Sequence, residues 1–393
     1  LDFVDALESA ISTLRDQPLI GSLRFAYELE IPDLRTWPLE QFPYLVFYVP
    51  GVEHVDVWRA LPAERDIPSR LGDHDELRTT PGGPPPPPPM GWIARADLAS
   101  AVSNAGAMGI IETSSGELDQ IRLEIAKMRD LTDKPFGVNI AQAFVRDPAI
   151  VDFVADQGVR FVTTSAGSPT RYTAQLKDAG LTVFHVVPSL AAARKAVDAG
   201  VDGLVVEGGE GGGFKAPQPS STMVLLPLVC QSLDVPVIAA GGFLDGPTMA
   251  AALALGAEGI QLGTRMVATV ESPIHENWKQ AIVDAAETDT VFLNRHASPA
   301  LRALRTDYSS ALEFDTTTNA FAAFGDQPGV YFRGELDKGI ALSGEVAGRI
   351  DAVRPVAEVI RECADDCLAV LADLAARYPA PPDAVTDEPA ARG

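Results

Sequence analysis

Seven short apolar runs alternate with helical patterns over the middle of this 393-residue chain. The runs cover residues 108–111, 136–140, 161–164, 182–187, 203–206, 235–240 and 259–262, and helical patterns such as 98–105, 117–128 and 190–199 lie between them. The runs are continuously apolar rather than alternating, which is typical of strands buried on both faces of a parallel sheet. This rhythm predicts an α/β fold, a TIM-like (β/α)8 barrel, which needs eight strands.

The eighth strand should come first, where the chain instead carries an unbroken proline run over residues 84–89. Proline donates no ladder hydrogen bond, so the first strand of the barrel is doubtful, and such a run forms a semi-rigid spacer. The sequence therefore predicts a Pro-rich linker over 72–89 and a barrel with a C-terminal helical region over 90–378. Within that region, residues 294–332 look irregular. A disordered tail rich in Pro, Ala and Asp is expected over 379–393.

A glycine step ends each of the last two apolar runs. Gly241 and Gly242 follow the first of these runs, and Gly263 and Thr264 follow the second. Backbone N–H groups at such steps, with a helix N terminus behind them, suit an anion, and the last two loops of a barrel often bind phosphate. The alternative is two tight turns whose glycines only satisfy backbone geometry.

A third glycine-rich stretch, E-G-G-E-G-G-G, follows the run at 203–206 and has five glycines in seven residues. Such a density of glycine indicates close approach of the backbone to a ligand. Together with the two glycine steps, it predicts a phosphate-bearing planar cofactor across the rim formed by the strand C-terminal ends. No G-x-G-x-x-G follows a first strand, which disfavours a Rossmann dinucleotide-binding domain.

Composition excludes several classes of partner. The net charge of −23, from 54 acidic and 31 basic residues, argues against binding of nucleic acid or of anionic membranes. The three cysteines are too few for a disulfide framework, which fits a reducing cytoplasm. Cys363 and Cys367 lie one helical turn apart, but a metal site would need more ligands, so no metal is expected. No signal peptide or membrane-spanning run is visible, and a cytoplasmic protein is predicted.

Residues 1–71 differ from the rest of the chain. An amphipathic helix over 1–15 precedes β-like runs at 23–29, 44–49 and 54–58. The order L-R-F-A-Y-E-L, then F-P-Y-L-V-F-Y-V, then V-D-V-W-R-A-L and R-D-I-P resembles a ParE/RelE-type toxin without its first strand and helix. The resemblance implies a truncated, toxin-derived α+β segment whose partner would be an antitoxin-like helix. The alternative is an unrelated small α+β appendage.

Residues 90–365 carry a second resemblance. M-G-W-I-A-R-A-D-L, D-K-P-F-G-V-N, T-T-S-A-G-S-P, H-V-V-P-S, A-A-G-G-F and Q-L-G-T-R occur in this order. They resemble the nitronate monooxygenase family, which uses FMN and includes flavin-type enoyl-ACP reductases. The resemblance implies that the FMN phosphate is held by Gly241, Gly242, Gly263 and Thr264, that Met90, Gly91 and Asn139 lie by the isoalloxazine, and that Glu207, Gly208, Gly212 and Gly213 line the ribityl and phosphate side.

The chain departs from the family pattern at residues expected to carry chemistry. The family loop usually reads E-A-G-G-H with a catalytic histidine, where this chain has Phe214, which cannot transfer a proton. Glu345 stands where the family has Gln. His185, on a strand, could act as a substitute base, although a hydrogen-bonded core histidine is the alternative. Lys215 could neutralise an anionic substrate or could be a solvated loop residue.

Three functions follow from these observations. The first is FMN-dependent oxidative denitrification of alkyl nitronates, or similar anions, with O2. The second is an NAD(P)H-dependent flavin reductase of the enoyl-ACP reductase type. The third is a non-enzymatic fusion of a truncated toxin with an incomplete barrel, which would be colourless when purified.

Overall fold

The computed structural model describes residues 3–22, 33–39, 42, 44–50, 55–62, 93–114, 118–145, 147, 149–320 and 322–378. The chain divides into two units, Leu1–Glu76 and Leu77–Gly393. The predicted strand at 23–29, the proline run, Met90, Gly91 and the predicted tail lie outside the described residues.

The first unit is a helix with a small antiparallel sheet. Its elements are α1 (Phe3–Asp16), β1 (Arg35–Pro38), β2 (Tyr44–Pro50) and β3 (Val55–Pro62), with sheet order β1-β2-β3. Leu14 of α1 packs with Val46 and Tyr48 of β2 in one buried cluster. The predicted helix and the runs at 44–49 and 54–58 are confirmed. The sequence missed β1, because R-T-W-P is short and ends in proline. The toxin resemblance stays a prediction.

The second unit is built on strands and helices in alternation. In chain order they are α2 (Ala96–Asn104), β4 (Gly109–Glu112), α3 (Leu118–Leu131), β5 (Phe136–Ala141), α4 (Ile150–Asp156), β6 (Phe161–Ser165), α5 (Thr173–Asp178), β7 (Thr182–Val187), α6 (Leu190–Asp198), β8 (Gly203–Glu207), β9 (Gly213–Lys215), α7 (Thr222–Ser232), β10 (Val237–Ala240), α8 (Gly246–Ala254) and β11 (Gly259–Gln261). All of these strands except β9 pair in parallel, in the order β4-β5-β6-β7-β8-β10-β11. All seven predicted strands are confirmed.

Strand β8 shows why these runs are apolar throughout. Leu204 and Val206 join the large core cluster that also contains residues of the surrounding helices. Val205, which points to the opposite face, joins a second cluster with Phe184 and Ala240 of neighbouring strands. Both faces of the sheet are therefore buried, and no position on the strand can be polar without a partner.

The two edges of the sheet share one apolar cluster. Ile93 and Leu98, which precede β4, lie in a cluster with Leu244 and Met266, which follow β10 and β11. A long C-terminal helix, α12 (Val356–Arg377), packs against both α8 and α2. The seven strands therefore curl into a TIM-like barrel. The position of the first barrel strand falls outside the described residues.

The region after β11 corrects one prediction. It contains α9 (Thr264–Val267), α10 (Glu276–Val283), β12 (Thr290–Leu293), β13 (Ala300–Leu304), α11 (Asp307–Glu313), a π-helical turn (Gly329–Arg333), a 3-10 turn (Glu345–Arg349) and α12. Strands β12, β13 and β9 form an antiparallel sheet in that order. The region is therefore not only helical. Sequence reasoning missed this sheet because its strands are short and one belongs to the glycine-rich loop.

Candidate active site

The candidate site lies at the C-terminal ends of the parallel strands, which all meet at one rim of the barrel. The strand register places Glu112 of β4 beside Asn139 of β5, and Ala240 of β10 beside Glu207 of β8. Residues predicted from distant parts of the sequence are thus brought together at this rim. Gly212 and Gly213 belong to the loop that follows β8.

The glycine-rich loop rests directly on the first glycine step. The Gly208 N–H donates to the Ala240 carbonyl at 3.1 Å. A Cβ atom at Gly241 would lie 2.9 Å from the Gly208 carbonyl oxygen and 3.0 Å from the Gly211 nitrogen. Gly241 also has a φ of +81° and Gly242 one of +92°, a region that favours glycine. Both steric space and backbone conformation therefore require glycine at residue 241.

The second glycine step faces open space. No atom lies within 4 Å of a Cβ built on Gly263, and at Gly242 only side-chain carbons of Glu210 come that close. The Thr264 hydroxyl oxygen accepts a hydrogen bond from the Gly344 N–H at 2.8 Å, which leaves the hydroxyl hydrogen for another acceptor. The ends of β10 and β11 therefore carry two glycines with space beside them and one hydroxyl with a free hydrogen, groups that can bind an anion.

The N terminus of the helix after the first glycine step is capped by a carboxylate. Helix α8 begins at Gly246, and the side chain of its N-cap, Asp245, accepts a hydrogen bond from the Thr248 N–H at 3.0 Å. Arg349 binds the other carboxylate oxygen of Asp245 at 2.6 Å. The contribution of this helix to anion binding stays a prediction.

Lys215 is neither of the two things predicted for it. Its ammonium group lies 2.8 Å from a carboxylate oxygen of Glu207 and donates to the carbonyls of Gly212 and Phe214 at 3.1 and 3.2 Å. Its side chain is 3% exposed. Lys215 therefore closes the glycine-rich loop on itself, and its charge is balanced by Glu207 before any ligand binds.

Two further acidic residues near the loop are also engaged. The Glu210 carboxylate accepts from the N–H of Thr222 at 2.9 Å and from its hydroxyl at 2.8 Å, which caps the start of α7. Glu345 lies 2.8 Å from the guanidinium of Arg302. Burial lowers the pKa of Arg302, and Glu345 raises it. The carboxylate at the family's glutamine position is thus neutralised by a neighbouring arginine.

The ends of β4, β5 and β6 carry a side-chain network that the sequence did not predict beyond Asn139. The Asn139 amide donates to Glu112 at 3.1 Å and to Ser165 at 3.2 Å, and accepts from the Thr163 hydroxyl at 2.9 Å. Burial raises the pKa of Glu112, while hydrogen bonds from Ser114 and Asn139 lower it. The only sequence signal for Glu112 was a charged residue directly after an apolar strand.

Tyr331 extends this network electrostatically from the C-terminal region. It is fully buried and stacks edge-on against Trp278. Its pKa lies well above the ordinary value because of burial first and the nearby charge of Glu112 second. Glu112, at the end of β4, is therefore close enough to Tyr331, in the segment after the barrel, for its charge to raise the pKa of that residue.

His185 has the contacts of a core histidine. Its Nδ1 lies 2.7 Å from the Thr164 hydroxyl, and the residue is 4% exposed. Burial lowers the pKa of its imidazole to about 4, and a hydrogen bond with the Gly167 backbone opposes this shift. These contacts favour the structural alternative, and a catalytic role for His185 stays a prediction.

Phe214 places an apolar ring where the family pattern has histidine. Its backbone pairs with Leu301 in the antiparallel sheet, and its ring lies 5.7 Å from the ring of Phe144. Phe144 belongs to the turn after β5. The two rings therefore form an apolar pair between the glycine-rich loop and the end of β5.

Two features are absent from the described ranges. They contain no group of three or more His, Cys, Asp or Glu side chains that could hold a metal ion. No helix in the described part of the chain has the length and apolar character needed to cross a membrane.

Similar proteins carry several activities. The chain is 38% identical over 237 residues to a (3aS,4S,5R,7aS)-5-hydroxy-7a-methyl-1-oxo-octahydro-1H-indene-4-carboxyl-CoA dehydrogenase of Mycobacterium tuberculosis, covering 60% of this chain and 66% of that protein. It is 32% identical over 249 residues to a nitronate monooxygenase of Paraburkholderia phytofirmans, covering 52% and 68%. The chain thus spans slightly less than two thirds of the first of these relatives.

Solved structures agree on the fold. FabK from Thermotoga maritima matches with a TM-score of 0.69 and 38% identity, covering 74% of this chain and 94% of that one. A nitroalkane oxidase from Streptomyces ansochromogenes matches with a TM-score of 0.63 and 22% identity, covering 72% and 95%. The family model described as nitronate monooxygenase matches residues 85–149 and 141–366, well over half of the chain. The chain therefore belongs to the nitronate monooxygenase family of oxidoreductases.

Proposed function

We propose that this chain binds FMN at the barrel rim and works as an FMN-dependent oxidoreductase. The support is the open cradle at Gly242, Gly263 and Thr264, which would hold the phosphate with N–H groups and one hydroxyl. Bound FMN would supply the hydride chemistry, and the protein would supply position and electrostatics. Met90 and Gly91 stay predictions as neighbours of the flavin ring.

The loop after β8 would hold the ligand by its backbone. Gly208 and Gly212 leave no room for a side chain, because a Cβ there would meet Thr222 at 1.9 Å or the backbone of Gly344 at 2.8 Å. The ion pair between Lys215 and Glu207 keeps the loop closed. A loop fixed in this way is ordered in advance of binding, which lowers the entropic cost of holding a cofactor.

For the reaction, we propose hydride transfer from NAD(P)H to an enoyl thioester, with a proton from solvent completing the reduction. The observation that carries this choice is the charge state of the rim. Lys215 and Arg302, the two cations beside the glycine-rich loop, are both paired with carboxylates. A nitronate anion would find neither cation available, whereas an uncharged enoyl group suits the apolar pair of Phe144 and Phe214. The similarity to the indene-carboxyl-CoA dehydrogenase supports a thioester substrate.

Oxidative denitrification of nitronates with O2 is the second candidate. It is favoured by the family model and by the relative from Paraburkholderia phytofirmans. In that reaction the substrate is already an anion, so the loss of a basic histidine at Phe214 would not prevent its binding by itself.

Absorbance spectroscopy and anaerobic stopped-flow kinetics separate these candidates. We expect the purified protein to show flavin bands, or to acquire them with added FMN. NADH or NADPH should then bleach the flavin, and crotonyl-CoA should restore its absorbance. Flavin bleaching by propyl-2-nitronate but not by NAD(P)H would favour denitrification instead. A protein that takes up no FMN would contradict the flavoenzyme proposal and favour the non-enzymatic fusion.

A further inference from the structure

We propose that Glu112 is a positioning residue that fixes the side-chain amide of Asn139, so that only the amide oxygen is left to bind a ligand at the rim. The inference rests on the proposed FMN site. It concerns which atoms of the flavin ring Asn139 can recognise.

The hydrogen-bond inventory of Asn139 limits what it can offer. An asparagine side chain has two N–H donors and one oxygen with two acceptor positions. The Nδ2 atom donates to Glu112 Oε1 at 3.1 Å and to Ser165 Oγ at 3.2 Å, so both donors are used. The Oδ1 atom accepts from Thr163 Oγ1 at 2.9 Å, which uses one of its two positions. One acceptor position therefore remains, and no donor.

Glu112 is held so that it accepts from this amide. Its other oxygen, Oε2, accepts from the Ser114 N–H at 2.6 Å and also from the Ser114 hydroxyl. Glu112 and Asn139 are neighbours in the strand register, and the Asn139 carbonyl accepts from the Thr113 N–H and hydroxyl at 3.2 and 2.9 Å. Turning the amide over would place its oxygen against Glu112 Oε1, where the ionised carboxylate repels it, and the hydrogen bonds from Ser114 and Asn139 favour that ionised form against the effect of burial.

The remaining acceptor selects one edge of the flavin. The oxidised isoalloxazine ring has a single N–H group, at N3, and its other polar ring positions are acceptors. An Asn139 side chain that can only accept must therefore bind N3–H. Without Glu112, the amide could rotate and donate to a flavin oxygen or to N5 as well.

The test compares FMN with its N3-methyl analogue, which lacks this donor, by fluorescence titration of the apoprotein. We expect wild-type protein to bind the methylated flavin about five- to tenfold more weakly than FMN beyond the steric effect of the methyl group. Asn139→Ala removes the acceptor and gives the discrimination that remains without this hydrogen bond. Glu112→Ala should lower the discrimination to the level of Asn139→Ala, and the double variant should show no further change.

Two more variants serve as controls for this experiment. Glu112→Gln should keep an intermediate discrimination, because its amide oxygen can still accept from Asn139. It also serves if Glu112→Ala fails to fold. Asp119→Asn, at an exposed residue of α3 that pairs with Arg122 and takes no part in this network, should discriminate like wild type. Discrimination that is equal in wild type and in both Glu112 variants would overturn this inference while FMN binding stands. A wild-type protein that binds neither flavin would overturn the proposed function itself.

Discussion

The two sides of the barrel rim are built by different means. The glycine side, formed by residues 207–213, 241–242 and 263–264, depends on backbone segments that touch one another. The polar side, formed by Glu112, Asn139, Thr163 and Ser165 at the ends of β4 to β6, depends on side-chain hydrogen bonds. An added side chain would disrupt the backbone contacts of the glycine side. On the polar side, the loss of a hydrogen-bond donor or acceptor would disrupt the network. Four predictions test this difference.

The largest loss of stability is expected for Gly241→Ala. Left-handed backbone costs alanine about 1–2 kcal/mol, and the contact with the Gly208 carbonyl adds overpacking of about 1–3 kcal/mol. We expect the free energy of unfolding, measured in urea, to fall by about 3–4 kcal/mol. Gly106→Ala is the matched control, because Gly106 has a φ of +94° and no atom within 4 Å of its Cβ position. Equal losses at both residues would mean that backbone contact does not restrict the glycine side.

Behind the polar side, on the helix-packed face of β7, His185 should make stability depend on pH. Its pKa is lowered from 6.5 to about 4 in the folded protein, so the unfolded chain takes up the proton first as the pH falls. The neutral imidazole contributes about 3 kcal/mol to the free energy of unfolding. This contribution is complete above about pH 6.5 and is lost as the pH falls through about 4. We expect His185→Gln to show a flatter stability profile between pH 7 and 4. Parallel profiles for the two proteins would contradict the buried, neutral imidazole.

The ion pair of the glycine side should contribute less. Lys215→Met leaves the partly exposed Glu207 carboxylate without its partner, and we expect a loss of about 2 kcal/mol in urea unfolding. Adding Glu207→Gln should recover part of that loss, because the unpaired charge is removed. Arg122→Met breaks an exposed pair with Asp119 and should cost less than about 0.5 kcal/mol. If Lys215→Met costs as little as Arg122→Met, the loop is not closed by this pair.

Gly263→Ala should have the smallest effect on stability and a clear effect on binding. Its Cβ position is in open space, but its φ of −102° and ψ of −86° lie outside the α and β regions, so the free energy of unfolding should fall by about 1 kcal/mol. The new methyl group would enter the space proposed for the FMN phosphate. We expect FMN to bind about tenfold more weakly in a fluorescence titration. Unchanged FMN affinity would place the phosphate elsewhere.

The sequence predicted those features whose local residue pattern follows directly from their burial or their backbone conformation. The run G-L-V-V-E predicted β8 because burial on both faces requires an unbroken apolar stretch. Gly241 could be singled out because a left-handed backbone conformation favours glycine, and glycine is visible in the sequence. The sheet of β9, β12 and β13 could not be predicted in this way. Its strands have only three to five residues, and two of them come from a stretch without clear periodicity.

The alternation of buried strands and helices and the glycines at the strand ends can be recognised in the sequence, because both follow from local backbone geometry and from burial. The pairing of charges emerges only when the chain is folded. Lys215 binds Glu207, Arg302 binds Glu345, and Glu112 orients Asn139. Charge and hydrogen-bond interactions depend on distances of a few ångströms between atoms that can be far apart in the chain. The chemical character of the rim was therefore set by folding, while its location was readable from the sequence.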